Sequence, residues 1–168
     1  MQTTSDKTIK EIFANMPDHS RVWIYQCARF LAAHEVNAIN EDGNRFVAGW
    51  NAHGTPLRAK IAIIENLFLV VMVDEVHAQA SGCSIDKSLQ FVKEAENYLG
   101  ATLTNRMKVA IPLDGKIIIS ELNELSKLKA QGIINDNSLV YDNLVATKSN
   151  LENNWLVKFN SGWHSRFL

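Results

Sequence analysis

The stretch "LRAKIAIIENLFLVVMVDE", from Leu57 to Glu75, decides the fold. Two runs rich in β-branched and large apolar residues flank Asn66, and this pattern predicts two β-strands, at 58–64 and 67–74, joined by a tight turn. Asn66 is suited to the positive φ angle that such a turn needs. The second run is apolar almost throughout, which is typical of a strand buried on both faces, so we expect it at the centre of a sheet.

The chain before this hairpin predicts a strand and several helical pieces. "RVWIYQCARF" favours a third strand over residues 22–28, because it is rich in β-branched and aromatic residues. Residues 6–16 have the apolar spacing of a short amphipathic helix that ends at Pro17. Between residues 31 and 50 the spacing is again helical, and "NEDGN" at 40–44 predicts a break between two helical pieces.

The chain after the hairpin predicts a long helix, a second hairpin and two shorter elements. Apolar residues one helical turn apart form a stripe that stops at Gly100, a residue suited to a left-handed C-cap. These residues are Ile85, Leu89, Val92, Ala95 and Leu99. "RMKVAI" and "KIIIS", joined by "PLDG", predict a pair of antiparallel strands. A helix over residues 121–131 stops at Gly132, and "SLVYDNLV" favours one more strand.

The order of these elements predicts an α+β protein with a mainly antiparallel sheet. Strand, helix, strand, strand, helix, strand is also the βαββαβ order of a ferredoxin-like unit, which we take as the leading architecture. A length of 168 residues favours a single compact domain. We expect a core over about residues 20–120 and a C-terminal extension over about residues 121–168 that enlarges the core or covers the sheet.

Composition and charge narrow the classes of function. The chain is 46% hydrophobic and 21% charged, as soluble globular proteins are. Its formal net charge of -1 provides no overall positive field, so nucleic-acid binding is not expected. The first residues lack the pattern of a secretory signal, and no run approaches the ~20 apolar residues of a membrane span. We therefore expect a cytoplasmic protein without a membrane partner, and the sequence leaves a homodimer open.

Cysteine usage bears on redox state and on metal binding. Cys27 and Cys83 are the two cysteines of the chain. They are too few for a disulfide framework, and they form neither a CxxC pair nor a zinc-ligand spacing. We therefore expect reduced thiols, no metal and no cofactor.

The candidate site is the polar stretch "DEVHAQASGCSIDKSLQF", residues 74–91, between the predicted central strand and the long helix. Ser84 is a predicted N-cap, which places Cys83 beside unpaired backbone N–H groups and the positive end of the helix dipole. That position favours a thiolate. Gly82 permits the backbone geometry of a nest of N–H groups that binds a carboxylate or a phosphate.

Two functions are compatible with this stretch. The first is a module that binds a small ligand or another protein through the loop and the adjoining strand end, at Asp74, Glu75, Ser81, Gly82, Ser84 and Lys87. The second is a thiol-dependent enzyme with Cys83 as nucleophile and His77 as base. A simpler interpretation makes Cys83 a small packing residue in a compact turn. We favour the binding module, because the sequence shows no orienting partner for the thiol.

The tail "NNWLVKFNSGWHSRFL", residues 153–168, interleaves aromatic and basic residues. Such a pattern can stack on bases or fill a groove of a partner. It is also typical of a terminal segment that docks on the core of its own domain. We favour docking.

Four segments, "DHSRVWIYQCAR", "ASGCSIDKS", "VYDNLVATKSNLENNW" and "SGWHSRF", resemble a family of small, largely uncharacterised bacterial proteins that are often labelled ABC transporter ATPases. The resemblance covers nearly the whole chain and implies no catalytic residue. The label conflicts with the residues, because such enzymes need a G-x-x-x-x-G-K-[ST] loop and a magnesium-binding carboxylate, and the sequence has no such loop. We therefore predict that the protein is not an ATPase of this class.

Overall fold

A computed structural model describes the backbone of residues 4–168 and the side chains from Thr8 onward. Its helices are α1 (Thr4–Ile12), α2 (Ala33–Gly49), α3 (Gly82–Leu99), α4 (Leu125–Ala130) and α5 (Lys148–Asn154). Its strands are β1 (Arg21–Gln26), β2 (Asn51–Ala52), β3 (Thr55–Pro56), β4 (Arg58–Ile64), β5 (Phe68–Asp74), β6 (Lys108–Leu113), β7 (Lys116–Glu121), β8 (Leu139–Tyr141) and β9 (Leu156–Lys158). Short 3-10 turns cover Leu122–Glu124 and Trp163–Phe167. The strands within residues 4–168 pair in antiparallel fashion, so the predicted α+β class with a mainly antiparallel sheet is confirmed.

The central sheet has the strand order β1-β5-β4. Every residue of β5 is buried, which confirms that the apolar run at 68–74 is an internal strand. The turn between β4 and β5 holds Glu65 and Asn66 at φ angles of 53° and 51°, so the predicted positive φ of Asn66 is confirmed as well. Apart from its last residue, Asp74, the strand has no polar side chain to place in water, which explains why it lies between two neighbouring strands.

Helix α2 is continuous from Ala33 to Gly49, so the predicted break at 40–44 is wrong. Gly43 lies against β4, where a Cβ atom on it would be 2.9 Å from Cγ2 of Ile61. The glycine therefore permits a close approach of helix to sheet instead of ending the helix. One turn earlier, the side chain of Asn40 accepts a hydrogen bond of 2.9 Å from the backbone N–H of Ile63 on the edge strand.

The ferredoxin-like architecture is not confirmed. β1 and β4 lie on either side of β5, and α2 is part of the connection from β1 to β4. The strand after α3, β6, pairs with β7 in a separate two-stranded sheet. The outer edge of β1 is instead bonded to residues 146–148: Val22 N–H donates to the carbonyl of Ala146, and Lys148 N–H to that of Ser20, each over 2.9 Å.

The C-terminal segment packs on the sheet, as the docking interpretation of the tail predicted. Phe68 of β5 contacts Tyr141 and Trp155, with ring centroids 4.9 and 4.7 Å away. Trp155 and Phe159 are buried. A second, smaller apolar cluster, which we call the C-terminal cluster, joins the β6–β7 hairpin, α4, β8 and the end of the chain; its fully enclosed members include Ile111, Leu125 and Phe159.

Lys148, at the start of α5, is a buried lysine with its ammonium group enclosed by acceptors. Nζ donates to the backbone carbonyl of Met16 over 2.7 Å. It lies 3.5 Å from Oδ1 of Asp18 and 3.7 Å from Oε1 of Glu152. The lysine thereby links the segment after α1 to the C-terminal part of the chain.

Among the helices within residues 4–168, none is both long enough and apolar enough to cross a lipid bilayer.

Candidate functional site

Asp74, the last residue of β5, has a buried carboxylate with three partners. His19 Nε2 and the backbone N–H of Val76 each lie 3.1 Å from Oδ1, and Arg58 Nη1 lies 3.2 Å from Oδ2. The hydrogen bond from Val76, together with His19 and Arg58, holds the pKa of this carboxyl below its usual value against the effect of burial. Arg58 also donates to the carbonyl of Asn15. Asp74 therefore joins β4, β5 and the segment after α1, and its oxygens are occupied within the protein.

Glu75 closes the loop that follows β5. Its Oε1 accepts a hydrogen bond of 3.0 Å from the backbone N–H of Ala80. The same oxygen lies 3.6 Å from Nη1 of Arg21. Residues 75–80 are thus held as a short loop by a side chain at their own start.

Ser81, not the predicted Ser84, is the N-cap of α3. Ser81 Oγ accepts from the backbone N–H of Ser84 over 3.2 Å, as N-cap serines do. Ser84 is buried in the first turn, and its hydroxyl donates back to the carbonyl of Ser81 over 2.8 Å. The indole of Trp50 donates to the Ser84 carbonyl over 2.9 Å, which fixes residue 84 inside the helix. Gly82 and Cys83 are consequently the first two helical residues.

Cys83 is exposed, whereas Cys27 is buried. The interpretation of Cys83 as a packing residue is therefore wrong, because its position in the first turn of α3 directs it to solvent. No hydrogen-bond acceptor or donor for its Sγ occurs among residues 8–168. The predicted base, His77, is exposed on the preceding loop.

A cleft, which we call the loop–hairpin cleft, lies between the loop ahead of α3 and the β2–β3 hairpin. It has a volume of about 390 Å³. Its lining residues are Ala52, His53, Thr55, His77, Ala78, Gln79, Ala80 and Ser81. The hairpin turn places His53 and Gly54 at φ angles of 51° and 82°, and it is this left-handed turn that brings His53 to the same cleft as His77.

The polar groups of the loop–hairpin cleft are neutral or basic. Two imidazoles, from His53 and His77, face it together with the hydroxyl of Thr55 and the amide of Gln79. Within the described residues, no carboxylate lines the cleft. Side chains of these types can donate hydrogen bonds to a carboxylate or a phosphate.

The structure brings some of the predicted site residues together and separates the others. His77 and Ser81 line the loop–hairpin cleft, while the other predicted residues do not: Asp74, Glu75, Gly82, Cys83, Ser84 and Lys87. Lys87 is exposed in the second turn of α3. Sequence reasoning did not place Thr55 and Gln79 in a site, and the turn signal "HGTP" at 53–56 was the available hint that a polar hairpin lies there.

No group of three or more His, Cys, Asp or Glu side chains suited to a metal ion occurs in the part of the chain that the structure describes. The resemblance to a bacterial family stays a prediction. No protein-family model matches the chain, and neither a curated protein nor a solved structure is significantly similar to it.

Proposed function

We propose that the protein is a cytoplasmic binding module that recognises a small anionic ligand at the loop–hairpin cleft. The observation that carries this proposal is the convergence of His53 and His77, from two different elements, on a cleft with no carboxylate among its described lining residues. A carboxylate or phosphate accepts hydrogen bonds from imidazole and hydroxyl donors, and such charge-assisted bonds are stronger than neutral ones.

The first turn of α3 supports the same class of ligand. The N–H groups of Ser84 and Ile85 are taken up by Ser81, over 3.2 and 2.9 Å. The N–H groups of Gly82 and Cys83 have no backbone acceptor among residues 4–168. They lie next to the cleft residue Ser81 at the positive end of an 18-residue helix. An anion in the cleft would therefore be placed beside a favourable dipole.

The experiment is an NMR titration of the full chain with inorganic phosphate and, separately, with citrate. We expect shift changes confined to residues 52–55 and 77–83. His53→Asn keeps a residue type that tolerates a positive φ and removes the imidazole, and His77→Asn removes the second one. Each should weaken binding about tenfold, the effect of losing one hydrogen bond to a charged group.

His34→Asn is the matched control, because His34 is exposed on α2 and does not line the cleft. Binding that is insensitive to both cleft histidines, or shift changes spread evenly over the surface, would contradict the proposal.

A thiol-dependent enzyme with Cys83 as nucleophile is the second candidate, and the exposure of this residue favours it. Iodoacetamide labelling of the native protein, read by mass spectrometry, should modify Cys83 first and Cys27 only after unfolding, because Cys27 is buried. A Cys83→Ser variant should lose the rapid label. If Cys83 reacts only after denaturation, this candidate is dropped.

The absence of a phosphate-binding loop of the ABC type from the sequence gives a separate expectation. ATP should show no magnesium-dependent binding in calorimetry. Tight binding that requires magnesium would overturn the exclusion of an ATPase.

A further inference from the structure

A second concavity, the α2–α3 groove, lies between the two long helices and has a volume of about 320 Å³. Ile39 of α2 and Phe91 and Ala95 of α3 form its apolar floor, since each is buried and lines the groove. Tyr98 also lines it and is 56% exposed. A large aromatic side chain that borders an apolar floor and remains in water is a common feature of binding surfaces.

Aromatic rings line both sides of the groove. Phe46 of α2 stacks on Phe91 of α3, with ring centroids 5.1 Å apart and planes inclined by 29°. Phe91 and Tyr98 are seven residues apart, so they lie two turns from each other on one face of α3. Of these two rings, Tyr98 is the exposed one, and its face carries negative charge density, whereas Phe91 is buried and stacked on Phe46.

Both side chains in the groove that can be charged are acidic. Asp42 of α2 and Glu94 of α3 line it, one from each helix. No lysine, arginine or histidine lines it within the described part of the chain. Arg45 lies three residues after Asp42 on α2 and forms an ion pair with it. Its side chain is 70% exposed, and it does not line the groove.

We propose that the α2–α3 groove binds a small organic cation, an ammonium or guanidinium group carried on an apolar body. The carboxylates and ring faces attract the cationic head, and the apolar body covers the floor. An anion would be repelled by Asp42 and Glu94. A neutral apolar ligand has no charge with which to interact with these two carboxylates, so it should bind more weakly than the cation.

Arg45 gives the proposal an internal test with two opposite signs. Its guanidinium competes with a ligand for the carboxylate of Asp42. Removing Arg45 should therefore strengthen binding, while removing the charge of Asp42 or Glu94 should weaken it. If the groove only attracted hydrophobic molecules, removing Arg45 and removing the acidic charges would not change the affinity in opposite directions.

The experiment is an NMR titration of the full chain with benzyltrimethylammonium chloride at constant ionic strength, with benzyl alcohol as the neutral probe. We expect shift changes at 39–46 and 91–98 with the cation and much weaker ones with the alcohol. Glu94→Gln, Asp42→Asn and Tyr98→Ala should each weaken binding about threefold or more, in line with exposed cation–π and charge contacts. Arg45→Ala should strengthen it about twofold.

Glu41→Gln is the matched control, because it removes the same charge from α2 at an exposed position outside the groove. Equal binding of the alcohol, or an effect of Glu41→Gln as large as that of Glu94→Gln, would overturn the proposal. The outcome is independent of the loop–hairpin cleft, because neither His53 nor His77 lines the α2–α3 groove.

Discussion

Lys148 and His164 are both buried ionisable residues, and their hydrogen-bonding surroundings differ. Lys148 has a backbone carbonyl at 2.7 Å and two carboxylates within 4 Å. His164 is 0% exposed in the C-terminal cluster, and neither ring nitrogen has a hydrogen-bond partner among the described residues. The indole of Trp163 stacks on the imidazole, with ring centroids 4.0 Å apart. One buried group is held by partners, whereas the other is held only by packing.

This difference determines how each residue contributes to the stability of the fold. A charged lysine with acceptors around it stabilises the fold as an ion. Burial lowers the pKa of His164 to about 4, although Asp142 partly opposes the shift, so the imidazole is neutral in the folded protein. The region of Lys148 should therefore be sensitive to loss of a partner, and the C-terminal cluster to acid.

The largest expected effect comes from Lys148→Ala. It leaves the carbonyl of Met16 and the carboxylate of Glu152 without their cation, so the free energy of unfolding should fall by about 2–4 kcal/mol. Urea denaturation followed by circular dichroism measures it. Lys93→Ala, at an exposed position of α3, is the control and should change stability by less than about 0.5 kcal/mol. Similar stabilities for the two variants would mean that the contacts of Lys148 contribute little.

His164→Phe tests the other side of the comparison. Because the pKa of His164 falls from its usual 6.5 to about 4 on folding, the unfolded chain binds the proton more tightly. The stability that the neutral ring contributes is fully present above pH 6.5 and is lost as the pH falls towards 4. The loss amounts to about 3 kcal/mol at the lower limit. His164→Phe should flatten this part of the pH profile.

The measurement is the unfolding free energy at several pH values between 4 and 7.5. His34→Phe is the control, since His34 is exposed on α2. If the unfolding free energy of His164→Phe fell as steeply towards pH 4 as that of the unmodified protein, another group would be responsible for the acid sensitivity.

Asp74→Asn should have the smallest effect of the three. Its partners His19 and Arg58 have side chains that are 57% and 56% exposed, so water can replace the lost charge for both. The lowered pKa of Asp74 predicts stability that is present at neutral pH and is lost as the pH falls through the folded value. Asp74→Asn should remove that contribution, and a steeper acid dependence in the variant would contradict the assignment.

Local patterns were sufficient to predict the central hairpin from the sequence. The turn at Asn66 and the apolar run of β5 are decided by neighbouring residues, and the same is true of the C-cap at Gly100. The break at 40–44 was wrong because the role of Gly43 is a contact with Ile61 of β4, which lies 18 positions away in the chain. A glycine that ends a helix and one that permits close packing look alike in sequence.

Local sequence patterns predicted fewer features of the candidate site than of the central hairpin. Residues 77–81 of the predicted stretch 74–91 line the loop–hairpin cleft, and the second histidine of the cleft, His53, lies on a hairpin that the sequence pattern marked only as a turn. The N-cap assignment failed because Ser81 and Ser84 are both suitable caps, and in the structure it is Ser81 whose side chain accepts the capping bond, from the N–H of Ser84. His164 stood in an aromatic and basic tail, and only the fold shows that it is enclosed.

The segment 146–148, which is hydrogen-bonded to β1, affects whether copies of the chain associate with one another. It occupies the outer edge of β1, through the bonds of Val22 and Lys148, while Asn40 on α2 caps the opposite edge at Ile63. Free strand edges are templates for aggregation, and natural proteins block them. A chain cut before residue 146 would present the open edge of β1 and would lack the Trp155 ring that contacts Phe68, so we expect such a fragment to form intermolecular β-structure.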